Sequence, residues 1–227
     1  MAVRFLIMRR ARGRPAGRVF WVRALVRAPL FVTLYLLPLF LPTAMIDLLT
    51  LHKQFISEHL RAGDTCADFT MGNGYDTVFL SNAVGERGKV YAFDVQEKAL
   101  FETEKRLKES GCPVNYELIL DSHENADRYI HERIKAGMFN LGWLPGSDRS
   151  VTTKRTSTLA AVEKAIGMLD ADGVITVAVY PGHPEGDAEG RMLEEYFASL
   201  SRFEICATKI RIVNSEKAPF FFLVETK

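Results

Sequence analysis

The sequence predicts an α/β fold in which one mostly parallel sheet is covered by helices on both faces, and three observations lead there. From residue 47 onward, short apolar runs alternate with helical patterns. The first run, Thr65 to Phe69, opens directly into the glycine-bearing "TMGNGYDT". The last two runs are joined without a helix, by "VNSEKAP". Strand and helix in alternation imply parallel neighbours, because a chain returning to the same edge does so through a crossover. A connection as short as "VNSEKAP" suits a hairpin instead. The expectation is therefore seven strands with one antiparallel strand near the sheet's edge.

Asp47 to Arg61 sets Leu48, Leu51 and Phe55 beside Leu49, Ile56 and Leu60 at helical spacing, an amphipathic lead-in helix ending near Gly63. Strands are expected at Thr65 to Phe69, Lys89 to Phe93, Asn115 to Leu120, Met138 to Leu141, Val174 to Tyr180, Glu204 to Ile212 and Phe220 to Glu225. Helices are expected at Asp76 to Val84, Glu97 to Ser110, Asn125 to Lys135, Thr156 to Leu169 and Glu189 to Ser199. Internal repeats and low-complexity tracts are absent from the sequence, and residues 47–227 read as one domain.

At 227 residues, 48% of them apolar, the composition is globular and excludes disorder. Cys66, Cys112 and Cys206 are odd in number, far apart and without a CxxC pair, so neither a disulfide framework nor a zinc site is signalled. They read as reduced core thiols of a cytoplasmic protein, and no metal is expected. The net charge of +1 hides two unlike parts. Residues 1–46 hold eight arginines and no acid, which leaves 21 basic against 28 acidic residues and a net charge of −7 for 47–227. An acidic domain that binds RNA must do so through a local patch.

Within the first 46 residues, Ala28 to Ile46 is uncharged and follows the arginines. Three readings stay open: a membrane anchor, weakened by Pro29, Pro38 and Pro42; a processed targeting peptide; or an extension upstream of a true start at Met45. Membrane association is expected only if this segment is a real anchor.

In an open α/β sheet, ligands sit beyond the carboxyl ends of the strands, where the first loop feeds a helix N-terminus. "CADFTMGNGYDT" has that order, yet the third position of a G-x-G-x-x-G fingerprint is Thr77, which argues against close pyrophosphate packing. Asp94 ends the second strand, 20 residues beyond Gly74, and suits the two hydroxyls of a ribose. Asp68 and Asp76, beside Gly72, Asn73 and Gly74, suit a cationic ligand better than a diphosphate. S-adenosylmethionine carries a ribose, an ammonium and a sulfonium without a phosphate. Gln96 is placed to touch adenine or ribose, and Asp121, Ser122 and His123 to flank adenine. The plainer alternatives are a turn at the glycines, a helix cap at Asp76 and caps at 121–123.

"DFTMGNGYDTVFLS", "GKVYAFDVQEKAL", "LILDSHENAD", "MFNLGWLPGSDRSVTT", "VITVAVYPGHPEGDAEG" and "APFFFLVETK" together resemble the rRNA methylase family, whose members include bacterial tRNA 5-(aminomethyl)-2-thiouridine methyltransferases. The resemblance runs from about residue 47 to the end. It implies the class I methyltransferase (Rossmann-like) fold, S-adenosylmethionine as donor, and methylation of the aminomethyl nitrogen on a wobble uridine, with the tRNA anticodon loop as partner. Tyr75 stands where members often have His, and Trp143 where they often have Tyr.

"NLGW", Asn140 to Trp143, occupies the place where this architecture presents its catalytic loop. The Asn carbonyl can accept an amine N–H, and Trp143 can stack on the uracil. His183 and Glu185 in "PGHPEGD" are candidates for a modest general-base contact, with a polar turn as the plain alternative. Asp148, Arg149, Lys154 and Arg155 are candidate loop or tRNA contacts, while His52, His59 and His131 receive no role. Alternative functions are an rRNA or small-amine methyltransferase and a non-catalytic donor-binding protein. A homodimer is left open.

Overall fold

Asp47 caps helix α1 (Leu48–His59): its carboxylate accepts from Leu49 N at 3.0 Å, satisfying an N-terminal donor of the helix, and from Thr50 Oγ1 at 2.7 Å. This is a computed structural model that describes residues 47–142 and 155–227. Along the chain follow β1 (Thr65–Asp68), α2 (Tyr75–Val84), β2 (Lys89–Asp94), α3 (Glu97–Glu109), β3 (Tyr116–Leu120), a 3₁₀ turn (His123–Arg128) and β4 (Ile134–Asn140). Then come α4 (Arg155–Met168), β5 (Leu169–Val179), α5 (Pro184–Ser199), β6 (Ile205–Ile210) and β7 (Phe220–Thr226).

The strands form one seven-stranded sheet in the order β3-β2-β1-β4-β5-β7-β6. β3 through β5 pair in parallel, and β7 runs antiparallel to both β5 and β6. The single antiparallel strand is thus second from the edge, and the order reverses direction between β1 and β4. That switch opens a crevice at the carboxyl ends of these two strands.

Period-two alternation sorts the side chains onto two cores. Ala136, Met138, Phe221 and Leu223 pack with Leu48 and Ile56 of α1 and Leu80 and Val84 of α2. Phe139, Val177, Phe222 and Val224 face the other way, against Ala161 and Val162 of α4 and Leu193 and Phe197 of α5. Phe69, just past β1, stacks on Phe139 with ring centroids 4.3 Å apart and lies 5.9 Å from Phe93. Burying each such ring contributes about 2–3 kcal/mol, which fixes the floor beneath the first two strand ends.

The helix expected at Asn125 to Lys135 does not form. Ala126, Ile130 and Ile134 have helical spacing and all are buried, but Asp121 captures Ser122 N, Asn125 Nδ2 and Tyr129 Oη and winds the segment into a short 3₁₀ turn. Ile134 then starts β4, opposite Leu169. β5 likewise starts earlier than expected, at Leu169, with Asp172 at φ +54 and a register shift before Val174. The loop expected ahead of Glu189 is helical from Pro184. Of the cysteines, only Cys66 is fully buried, and desolvation raises its thiol pKa well above the ordinary range; Cys112 and Cys206 are partly exposed. Among the described residues, no helix is long and apolar enough to cross a membrane; Ala28 to Ile46 lies outside them.

Candidate active site

The glycine loop folds as a tight turn that is also a wall of the crevice. Met71 N donates to Phe93 O, and Gly74 N donates back to Met71 O at 2.7 Å. Gly72 and Gly74 take φ of +52 and +79, and a Cβ at Gly74 would lie 2.8 Å from the Cα of Thr103 on α3. Thr103 Oγ1 donates to Gly72 O, Arg106 Nε donates to Asn73 O, and the Arg106 guanidinium stacks 3.6 Å over the Tyr75 ring. α3 therefore locks the loop from outside.

Asp94 Oδ2 accepts from Gly72 N at 3.1 Å and its Oδ1 from Gln96 N at 3.0 Å. Each carboxylate oxygen keeps a further lone pair for a ligand hydroxyl. Burial raises the Asp94 pKa above the ordinary carboxylate range, against the pull of the Gln96, Gly72 and Val95 N–H groups. Asp68 differs: it is fully buried, accepts from Thr77 Oγ1 at 2.7 Å and Thr70 N at 3.1 Å, and does not line the crevice. Its pKa is pushed up to about 7, first by burial and then by the Asp76 carboxylate.

At the third strand, Asp121, Ser122 and His123 all face the crevice. Hydrogen bonds from Asn125 and Tyr129 hold the Asp121 carboxyl below the ordinary range. His123 is buried, with Nδ1 3.1 Å from Phe69 O, so Nδ1 carries the proton and Nε2 is left as an acceptor without a partner. Desolvation lowers its pKa, which keeps it neutral.

The opposite wall is built from residues far apart in sequence. Asn140 ends β4, where its backbone N–H donates to Thr70 Oγ1 at 2.7 Å and its Nδ2 donates to Asp76 Oδ2 at 2.6 Å. The other Asp76 oxygen is 2.6 Å from Lys53 Nζ of α1. Asp76 is consequently not the α2 cap expected from the sequence; Gly74 holds that position with no side-chain bond. His52, one residue before Lys53, is 1% exposed with both ring nitrogens unpartnered, and desolvation lowers its pKa. Tyr180 closes this side, its phenol pKa raised chiefly by burial and further by Asp76.

Both walls enclose one cavity of about 1170 Å³. Gly72, Asn73, Asp76, Asp94, Gln96, Asp121, Ser122, His123 and Asn140 all line it. His183 does not: it caps α5, its Nδ1 accepting from Gly186 N at 3.1 Å, and Glu185 lies in the first turn of that helix. The expected general-base loop is therefore a helix start outside the cavity. Trp143, Asp148, Arg149 and Lys154 lie outside the described residues. Sequence reasoning missed Thr70, Lys53, His52 and Tyr180. One signal was readable: Leu48, His52 and Ile56 form the buried stripe of α1, and a histidine midway along an apolar stripe marks a polar demand there.

A topological switch roofed by a glycine turn, with a strand-end carboxylate on one wall and an amide on the other, is the architecture of the class I methyltransferases, and the chain is one by fold. It belongs to the rRNA methylase family: the family described as "Putative rRNA methylase" matches residues 90–225. The ubiE/COQ5 methyltransferase family matches residues 46–130. A curated relative, the chloroplastic tRNA (mnm(5)s(2)U34)-methyltransferase of Arabidopsis thaliana, is 33% identical over 173 residues, covering 70% of this chain and 62% of that protein. The chain thus spans less than two thirds of that relative's length. A crystal structure described as a "putative rRNA-methylase" from Clostridium thermocellum is 34% identical with a TM-score of 0.79, over 81% of this chain and 100% of the other. A "putative methyltransferase" from Streptococcus mutans in complex with SAH is 35% identical with a TM-score of 0.74, over the same shares.

Proposed function

We propose that this protein is an S-adenosylmethionine-dependent N-methyltransferase acting on the aminomethyl group of wobble 5-aminomethyl-2-thiouridine in tRNA. The observation that carries the reading is one cavity with two unlike walls, Asp94 and the glycine turn on one side and Asn140 on the other. Its volume exceeds the roughly 300–1,000 Å³ of a site for one small molecule, so it suits a donor and an acceptor together. The similarity to the Arabidopsis protein supports the tRNA substrate.

The donor fits the residues present. Asp94 has spare acceptor capacity for ribose hydroxyls, and Asp121, Ser122 and Gln96 offer polar contacts around an adenine. S-adenosylmethionine supplies an electrophilic methyl group on a sulfonium. Asn140 Nδ2 is engaged by Asp76, so its Oδ1 is left to accept an N–H of the incoming amine and aim the nitrogen lone pair. Trp143 supplies the stacking surface for the base. The amine gives its proton to solvent before attack, so alignment and desolvation carry most of the rate enhancement.

Purified protein with labelled donor is expected to methylate tRNA bearing aminomethyl-thiouridine, read by mass analysis of its nucleosides. Label entering ribosomal RNA or free small amines, with that tRNA untouched, would overturn the substrate assignment.

A further inference from the structure

Lys53 is the sole lysine or arginine among the described residues lining the cavity, which Asp47, Asp76, Asp94, Asp121 and Glu124 also line. Its ammonium sits 2.6 Å from Asp76 Oδ1 and 5.4 Å from the centre of the Phe79 ring, with the two partners' side chains 29% and 12% exposed. An ion pair on open surface contributes little. This one is mostly shielded, and it continues into a second contact, from Asp76 Oδ2 to Asn140 Nδ2 at 2.6 Å. An ionised carboxylate only accepts, so it dictates which end of the Asn140 amide faces it. The carbonyl end is thereby turned away from Asp76.

We infer that Lys53 is a positioning residue: by holding Asp76 it fixes the amide orientation of Asn140 and so presents Asn140 Oδ1 to the acceptor amine. The inference rests on the reading of Asn140 given above. It assigns to α1, which supplies no strand-end loop, a part in setting acceptor geometry. It also separates the two carboxylates beside the glycine turn by task. Asp94 is held by backbone N–H groups and meets the ligand directly, whereas Asp76 is held by the side chains of Lys53 and Asn140 and sets the Asn140 amide.

The test is Lys53→Met, which keeps the aliphatic stem and removes the charge, compared with Asn140→Ala and the double variant. Turnover and KM are measured on aminomethyl-thiouridine tRNA, and donor affinity by calorimetry with S-adenosylmethionine. Lys53→Met is expected to lower kcat about tenfold, with donor affinity within about twofold of the parent. In the Asn140→Ala background the same change is expected to cost almost nothing further, because Lys53 acts through Asn140. Parental kcat in Lys53→Met, multiplicative losses in the double variant, or a fall in donor affinity with kcat intact would each overturn the proposal. Lys53→Leu, which likewise cannot hold Asp76, serves the same comparisons if the methionine variant folds poorly. Should Asn140→Ala itself keep full turnover, the reading of the site falls; should it be slow while Lys53→Met matches the parent, only the role of Lys53 falls.

Discussion

The two walls of the cavity are built by different means. On the β1–β3 side, the two carboxylates are placed by residues close in sequence or by backbone N–H groups: Gly72 and Gln96 hold Asp94, and Ser122, Asn125 and Tyr129 hold Asp121. On the β4–β5 side, Lys53, Asp76, Asn140 and Tyr180 converge from four separate elements or loops, and His52 is buried there without a partner. A wall built from local motifs suits a ligand whose shape does not vary, and one assembled from distant elements takes its polar geometry from the whole fold.

The sharpest way to break this contrast is Asn140→Ala. Turnover is expected to fall about a hundredfold, the scale for removing one aligned polar contact, with donor affinity nearly intact by calorimetry. A variant as active as the parent would remove Asn140 from the mechanism. Asp94→Ala is expected to do the converse, weakening donor binding about tenfold to a hundredfold; unchanged affinity would contradict its ribose role. Gly74→Ala probes the wall's frame rather than its chemistry. With φ at +79 and Thr103 in the way, it is expected to cost about 2 kcal/mol in urea unfolding.

Two further measurements refine the comparison. Asp68 has a pKa of about 7 in the folded chain against an ordinary 3.8, so the folded state holds this proton more tightly than the unfolded state. Its contribution to stability is fully present below 3.8 and is lost as pH rises through about 7. Asp68→Asn is expected to flatten stability against pH across that window in denaturant titrations. Smallest is His52→Leu: removing an unpaired buried imidazole is expected to raise stability by about 1 kcal/mol, and a loss instead would show that His52 has a partner in the folded chain.

The same contrast explains what the sequence disclosed. The glycine turn, Asp94 and the Asp121–His123 cluster were legible because each is a local motif at the end of an apolar run. The antiparallel pairing of the last two strands was legible from the short "VNSEKAP" link. The Lys53–Asp76–Asn140 chain was not, since nothing in the spacing of residues 53, 76 and 140 records that the fold brings α1, α2 and the end of β4 together there. The segment after β3 misled for a related reason: its apolar residues have helical spacing, and the side chain of Asp121, outside that segment, overrides it. His183 looked catalytic by residue type, and only the helix start at Pro184 shows its imidazole acting as a cap.

β7 lies between β5 and β6 although it follows both in the chain. During vectorial synthesis on the ribosome, β6 emerges with no neighbour to pair with, and β5 waits with one edge open. These strands can join one sheet only once Phe220–Thr226 has been made, so assembly of this half of the molecule follows synthesis of β5 and β6, and the edge of β5 stays open until then.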